Sequence, residues 1–124
     1  MPTVIACMND LMFLSKIVEA TKALDIPLRS LKNPEKVIAA CRDAPGTLVF
    51  LDLDDQTLDA IVIAKAIRTA QPAVDARVYT FVSHVHEDRI QLAGDNLFDR
   101  VFSRGQFVRA LPELLVPKTP SSTE

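Results

Sequence analysis

Polar side chains directly follow four short apolar runs of this sequence, and their types suit the chemistry of phosphate and divalent cations. An Asp carboxylate is a weak nucleophile, and it can accept a phosphoryl group only when a metal ion and a cationic side chain neutralise the incoming charge. Carboxylates, a hydroxyl and a guanidinium brought to one place meet that requirement. The candidates are Asn9 and Asp10, then Asp52, Asp54 and Asp55, then Ser83 and His84, and finally Ser103 and Arg104.

The same residues also have an ordinary structural interpretation. Asp10 could cap the first helix, and Asp54 or Asp55 could cap the third, because Asp is a preferred residue before a helix. Polar residues at strand ends are normal in any α/β protein. Both interpretations stay open at the level of the sequence.

The apolar runs that precede these residues have the length of buried strands. They predict strands over residues 3–8, 27–31, 48–52, 77–82 and 100–102. Five strands separated by helical segments favour right-handed crossovers and a parallel sheet covered on both faces. We therefore predict an α/β, flavodoxin-like (βα)5 fold with strand order 2-1-3-4-5, in which the carboxyl ends of the strands form the functional crevice.

Helical spacing of apolar residues fills the intervals between the strands. Further, less regular helices are predicted over residues 87–94 and 106–115. Pro34 after Asn33 fits a helix start, and Pro45 with Gly46 fits a turn before the third strand. The periodic residues are Leu11, Leu14, Ile17, Val18 and Leu24, then Val37, Ile38 and Cys41, and then Leu58, Ile61, Val62, Ala64, Ala66 and Ile67.

Composition limits the class of protein. The 124 residues fit one domain, which we place at residues 1–116, followed by a flexible tail at 117–124. Fourteen basic and sixteen acidic residues give a net charge of -2 without a basic cluster, so nucleic acid is not expected as a partner. No apolar run approaches the length of a membrane span, and we expect a cytoplasmic protein. Cys7 and Cys41 are expected to be reduced core thiols.

One motif carries a resemblance to a known family. Leu48-Val-Phe-Leu-Asp-Leu-Asp54, followed by Asp59-Ala60, resembles the pattern of response-regulator receivers: an apolar strand, the acceptor Asp, and an Asp-Gly seven residues later. The resemblance extends from Thr3 to about Leu115. It implies that Asp52 is the phospho-acceptor and that Mg²⁺ binds near Asp10, Asp52 and Asp54, with the main-chain carbonyl of Asp54 as one ligand.

The sequence departs from the receiver pattern at the first strand. Receivers end this strand with an acid pair, and Asn9-Asp10 or Met8-Asn9 falls there, depending on the register. At least one acid is missing in either case, which weakens the expected binding of a divalent cation.

The fourth and fifth strands depart as well. Ser83 matches the family's phosphate-binding hydroxyl in one register, whereas Val82 occupies that position in the other. Arg104 stands in place of the family's Lys and Gly105 in place of a Pro, and a planar guanidinium is not equivalent to a compact ammonium. Phe102 is near the place of the family's switch aromatic, although a core role is the simpler interpretation. These departures resemble those of pseudo-receivers.

Two functions are consistent with this pattern. The first is a stand-alone, non-enzymatic receiver-like signalling domain of a two-component pathway, which acts through protein–protein interaction. A histidine kinase could phosphorylate Asp52, Arg104 and Ser83 would contact the phosphate, and a downstream protein or a second copy would bind a face that includes Val108 and Leu111. The alternative is a small-molecule-binding flavodoxin-like domain, or a weak enzyme, which would need an apolar pocket beside the carboxylates.

Other candidate sites are less specific. His84-Val-His86-Glu87-Asp88 could provide two metal ligands, but no third is fixed, and a polar loop explains the same residues. No Gly-rich loop follows the first strand, which disfavours a dinucleotide site. Met8, Met12 and Phe13 are predicted to be core residues.

Overall fold

The five predicted strands form one parallel sheet. A computed structural model describes residues 3–55, 59–83 and 97–116 of the chain. The strands are β1 (Val4–Cys7), β2 (Leu28–Ser30), β3 (Thr47–Asp52), β4 (Ala76–Phe81) and β5 (Arg100–Phe102). Their order is β2-β1-β3-β4-β5, and every neighbouring pair is parallel. The predicted flavodoxin-like order is confirmed.

Within the described residues, four helices cover the faces of this sheet. They are α1 (Leu11–Ala23), α2 (Pro34–Asp43), α3 (Ala60–Thr69) and α4 (Arg104–Leu115). The predicted helix over 87–94, the pair His84 and His86, and the predicted tail at 117–124 lie outside the described residues. Within the described ranges, no helix combines the length and the apolar composition that a membrane span requires.

Both turns that the sequence marked with proline form as expected. Asn33 caps α2 by accepting the N–H groups of Glu35 and Lys36, and Pro34 is the first helical residue, where a missing N–H costs nothing. Gly46 has a φ of 83°, a left-handed conformation that a residue with a side chain rarely adopts. Its N–H donates to the Asp75 carbonyl, so this turn also joins the starts of β3 and β4.

The hydrophobic core has two layers, one on each face of the sheet. Successive residues of a strand point to opposite faces, so Val49 and Leu51 of β3 pack with α2 and α3, whereas Phe50 packs with α1 and α4. Phe107 of α4 is fully buried in the second layer, in contact with the rings of Phe50, Phe81, Phe13 and Phe102. Burial of one such side chain stabilises the fold by roughly 1.5–3 kcal/mol. Phe102 is a core residue, as predicted.

Two predicted apolar faces are corrected by the structure. On α1 the buried stripe runs through Phe13, Ile17 and Thr21 at four-residue intervals. Thr21 can occupy a core position because its hydroxyl donates to the Ile17 carbonyl at 2.9 Å. Residues to either side of this stripe face outward, so the prediction of Leu11, Val18 and Leu24 on the buried face, and of Met12 in the core, is wrong: these four are exposed.

The second correction concerns α4. Leu111 is only 3% exposed and packs in the aromatic layer, and Val108 is partly buried against the same layer. Both lie on the inner side of the helix, four and one residues after Phe107. The prediction that Leu111 belongs to a contact face is therefore wrong, since its surface is used within the domain.

Candidate functional site

The register of the sheet brings the predicted polar residues to one edge. Cys7 of β1 lies opposite Leu51, Asp52 of β3 lies opposite Phe81, and Phe81 lies opposite Phe102 of β5. The four strands thus end at nearly the same level. The residues that follow them, Asp10, Asp54, Ser83 and Arg104, gather with Asp52 in one cluster.

Arg104 lies at the centre of this cluster. It is the first residue of α4, directly after the N-cap Ser103, and its side chain returns over the ends of the strands. Its guanidinium Nη1 donates to Asp54 Oδ2 at 2.9 Å and lies 3.7 Å from Asp52 Oδ1, while Nη2 donates to Asp10 Oδ2. One cation therefore faces three carboxylates that come from two different strand ends.

Two aromatic rings support the guanidinium. Its central carbon lies 4.2 Å from the ring centroid of Phe13 on α1 and 5.2 Å from that of Phe81 on β4. These are distances at which a cation is attracted to the face of a ring. Sequence reasoning assigned Phe13 to the core alone. Its position three residues after Asp10, in the first turn of α1, was the available signal that it lies at this edge.

The two carboxylate oxygens of Asp10 accept hydrogen bonds from different groups. Oδ1 accepts the N–H groups of Met12 at 3.0 Å and Phe13 at 3.1 Å, which makes Asp10 the N-cap of α1. Oδ2 accepts from Arg104. The hypothesis that Asp10 caps the first helix is confirmed.

The corresponding hypothesis for the third helix is wrong. Asp59 caps α3 by accepting the Val62 N–H at 3.1 Å, so the cap is neither Asp54 nor Asp55. The chain leaves β3 in a turn at Leu53 and Asp54, and α3 begins only at Ala60. Asp54 and Asp55 are therefore too far from the helix to cap it, and both contact neighbouring strand ends instead.

Asp54 binds the end of β4. Both of its carboxylate oxygens lie 3.0 Å from the Ser83 backbone nitrogen, and the Ser83 hydroxyl donates to Oδ1 at 3.1 Å. Ser83 lies two residues beyond Phe81, the partner of Asp52 in the sheet. Its hydroxyl is thus directed to Asp54, and Val82, the residue between, is buried in the core.

Asn9 and Asp55 make a second polar link across the same edge. The Asn9 side-chain amide donates to Asp55 Oδ2 at 2.8 Å, and its backbone N–H donates to the same oxygen at 3.3 Å. Met8, which precedes them, is buried among apolar side chains. The polar contacts after β1 are therefore made by Asn9 and Asp10.

Asp52 is the most enclosed acid of the cluster, with 3% of its surface exposed. Its Oδ1 accepts the Asp54 backbone N–H at 2.9 Å. Burial raises the pKa of Asp52 above its ordinary value, and the Asp54 N–H and the Arg104 guanidinium oppose part of that rise. Asp52 is thus a carboxylate with little access to solvent and with the Arg104 guanidinium nearby.

The donor chemistry of Asp10, Asp52 and Asp54 suits Mg²⁺, which prefers carboxylate oxygens and demands close, near-octahedral coordination. In the structure, however, each of these acids has an oxygen that already accepts a hydrogen bond, from Arg104 or from a backbone N–H group. Across residues 3–55, 59–83 and 97–116, no three His, Cys, Asp or Glu side chains are grouped as ligands of a metal ion. As arranged, the residues do not fit a resident divalent cation.

Solved structures of similar fold include several receiver domains. The response regulator receiver domain from Rhodospirillum rubrum has a TM-score of 0.67 and 16% identity, over 90% of this chain and 89% of that one. A response regulator in red light signaling of R. palustris has a TM-score of 0.63 and 20% identity, over 96% and 100%. The receiver domain of a sensor histidine kinase from Pseudomonas aeruginosa, with a magnesium ion coordinated in its active site cleft, has a TM-score of 0.63 and 11% identity, over 90% and 95%.

These likenesses establish the fold. The chain has the architecture of response-regulator receiver domains over most of its length, which confirms the resemblance that the motif around Asp52 indicated. No protein-family model and no curated protein matches the sequence.

Proposed function

We propose that this chain is a receiver-like signalling domain that acts by binding another protein, and that it is a pseudo-receiver whose acidic edge is occupied by Arg104. One observation carries the proposal: the guanidinium lies between Asp10 and Asp54, next to Asp52, on a receiver fold. The crevice that holds the ligand in open parallel sheets is here filled by the domain's own side chains. A filled crevice favours a recognition surface over a small-molecule site.

The contact face that we propose lies on β5 and α4. Val101 is 38% exposed in the middle of β5, and a groove of about 320 Å³ runs beside it. Arginine and aromatic side chains, which are enriched at protein interfaces, are among its lining residues. It contains none of the carboxylates of the strand-end cluster, so it does not supply the apolar pocket that the small-molecule alternative requires. Its lining residues are Arg100, Val101, Phe102, Gln106, Arg109, Ala110 and Glu113.

A photo-crosslinking experiment in the source cells tests this face. A photoreactive amino acid at Val101 should give one discrete protein adduct, which mass spectrometry identifies as a partner or as a second copy of the chain. The matched control is Val62, which is 50% exposed on α3, outside the proposed face. Equal adducts at both positions, or none at Val101, would contradict the proposed face.

Phosphorylation of Asp52 is a second candidate function, and the distance of 3.7 Å between Arg104 Nη1 and Asp52 Oδ1 favours it. In this reaction an Asp52 oxygen would bond to the phosphorus of a phosphohistidine in a histidine kinase. The phosphorus–nitrogen bond would break, and the histidine would recover a proton from water. Arg104 would need to turn from Asp54 toward the new phosphoryl group.

Beryllofluoride, which mimics an aspartyl phosphate, separates the two candidates. Amide NMR shifts are recorded for the wild type and for Asp52→Asn, with beryllofluoride alone and with Mg²⁺. A pseudo-receiver predicts no saturable shift at residues near Asp52, Ser83 and Arg104. Saturable shifts that disappear in Asp52→Asn would instead assign the phospho-acceptor role to Asp52.

A further inference from the structure

Three carboxylates each direct one oxygen toward the same guanidinium. These are Asp10 Oδ2 and Asp54 Oδ2, which accept hydrogen bonds from Arg104, and Asp52 Oδ1, which lies 3.7 Å from Nη1. The remaining bonds hold the acids in place: Asp10 Oδ1 caps α1, and Asp54 Oδ1 accepts from Ser83. Three carboxylate oxygens, one from each acid, therefore surround one guanidinium, which occupies the space between them.

The Arg104 side chain is itself held in position between these carboxylates. Its guanidinium lies over the ring of Phe13 and near that of Phe81, and its side chain is 30% exposed. A second cation could reach the oxygens of Asp10 and Asp54 only by breaking the hydrogen bonds that Arg104 makes with them. Two cations at contact distance would also repel each other strongly in this partly buried place.

We propose that Arg104 is the resident cation of this edge. While its guanidinium is present, Asp10, Asp52 and Asp54 bind no divalent cation, and removal of the guanidinium converts the three acids into a divalent-cation site. Mg²⁺ commonly binds through few protein oxygens and keeps several water ligands, so three carboxylate oxygens suffice. This proposal rests on the pseudo-receiver function proposed above, because phosphoryl transfer to Asp52 would require a metal ion at this edge.

Titration with Mg²⁺ tests the proposal directly. The proteins are the wild type, Arg104→Met, and the control Arg42→Met, which removes the same charge from an exposed position in the last turn of α2. The melting temperature of Arg104→Met should rise by a few degrees or more at about 10 mM Mg²⁺, because a ligand that binds only the folded state stabilises it. The melting temperatures of the wild type and of Arg42→Met should not change.

Mn²⁺ locates the site. In Arg104→Met, this paramagnetic ion should broaden the amide resonances next to Asp10, Asp52 and Asp54 at micromolar to millimolar concentrations. Broadening there in the wild type would overturn the proposal, and so would a folded Arg104→Met that responds to neither ion.

The wild type provides a test that does not depend on the folding of a variant. The Nε–H resonance of Arg104 should keep its chemical shift throughout the Mg²⁺ titration, since the guanidinium stays bound to Asp10 and Asp54. A saturable displacement of that resonance would show that Mg²⁺ replaces the guanidinium, and the proposal would be wrong. A failed crosslinking experiment leaves this result unaffected, whereas saturable beryllofluoride shifts that require Mg²⁺ would contradict this proposal as well as the pseudo-receiver function.

Discussion

Asp54 accepts both the backbone N–H and the hydroxyl of Ser83, with the nitrogen 3.0 Å from each carboxylate oxygen and the hydroxyl 3.1 Å from Oδ1. The carboxylate that follows β3 thereby fixes the second residue after β4. Since the same carboxylate also accepts from Arg104, it connects the ends of β3 and β4 to the start of α4.

This connection predicts a graded loss of stability. Ser83→Ala removes the hydroxyl bond to Asp54 but keeps the backbone N–H, and it should lower the free energy of unfolding by about 0.5–1.5 kcal/mol. Asp54→Ala also removes the acceptor of a backbone N–H and of Arg104, and should cost about 2–4 kcal/mol, because hydrogen bonds to charged groups are stronger. Urea unfolding measures both values. A cost for Ser83→Ala equal to that for Asp54→Ala would contradict this assignment.

Leu111 and Leu11 provide a matched pair of substitutions that tests whether Leu111 belongs to the core. Leu111 is 3% exposed in the aromatic layer, whereas Leu11 is 77% exposed on α1. Leu111→Ala should lower the free energy of unfolding by about 2–5 kcal/mol. Leu11→Ala should change it by no more than about 0.5 kcal/mol, measured by the same denaturant titration. If the two substitutions cost the same, Leu111 would not be a core residue.

The raised pKa of Asp52 predicts the direction in which the free energy of unfolding changes with pH. Burial raises its pKa above the ordinary value of 3.8, so the folded state binds more protons than the unfolded state between the two pKa values. The free energy of unfolding contributed by this group therefore falls as the pH rises through that range. Asp52→Asn, which carries no charge at any pH, should be more stable than the wild type at pH 7, and its advantage should disappear at about pH 3.

Thermal unfolding from pH 3 to pH 8 measures this difference. Asp43→Asn, at an exposed position near the end of α2, is the control and should track the wild type. An Asp52→Asn protein that is less stable than the wild type at pH 7 would show that the contacts of the charged carboxylate outweigh the cost of its burial.

The two cysteines predict resistance to thiol reagents. Burial raises the pKa of Cys7 to about 12, with a smaller effect of Cys41, and raises that of Cys41 to about 11. Thiolate is the reactive form, so the folded protein at pH 8 should remain unmodified by iodoacetamide, while both thiols should react in denaturant. Mass spectrometry of the two samples gives the answer. Rapid modification of either thiol in the folded protein would contradict the described burial.

The strands were predictable because their apolar runs are buried on both faces, and a parallel sheet leaves few alternatives for a chain that alternates strand and helix. The gathering of Asp52, Asp54 and Arg104 at one edge followed from the same topology. The partners of each side chain did not follow, because they depend on register differences of one residue. Ser83 shows this limit: its hydroxyl is at the expected edge, but its acceptor is the side chain of Asp54.

Buried and exposed positions were harder to predict in the helices than in the strands. On α1, Leu11 and Val18 lie next to the row of buried residues. Helical periodicity alone therefore assigns them to the buried face, although they are exposed. Thr21 was missed for the opposite reason, since a hydroxyl that bonds a carbonyl of its own helix can be buried. The stacking of Arg104 on Phe13 joins residues 91 positions apart and leaves no local pattern in the sequence.

The two outermost strands of the sheet are its shortest described members. β2 and β5 have three residues each, and each carries an exposed arginine, Arg29 in one and Arg100 in the other. Short strands and cationic side chains at a sheet edge discourage the addition of a strand from another molecule. Polymerisation of the domain by backbone pairing along the edges of its sheet is therefore disfavoured.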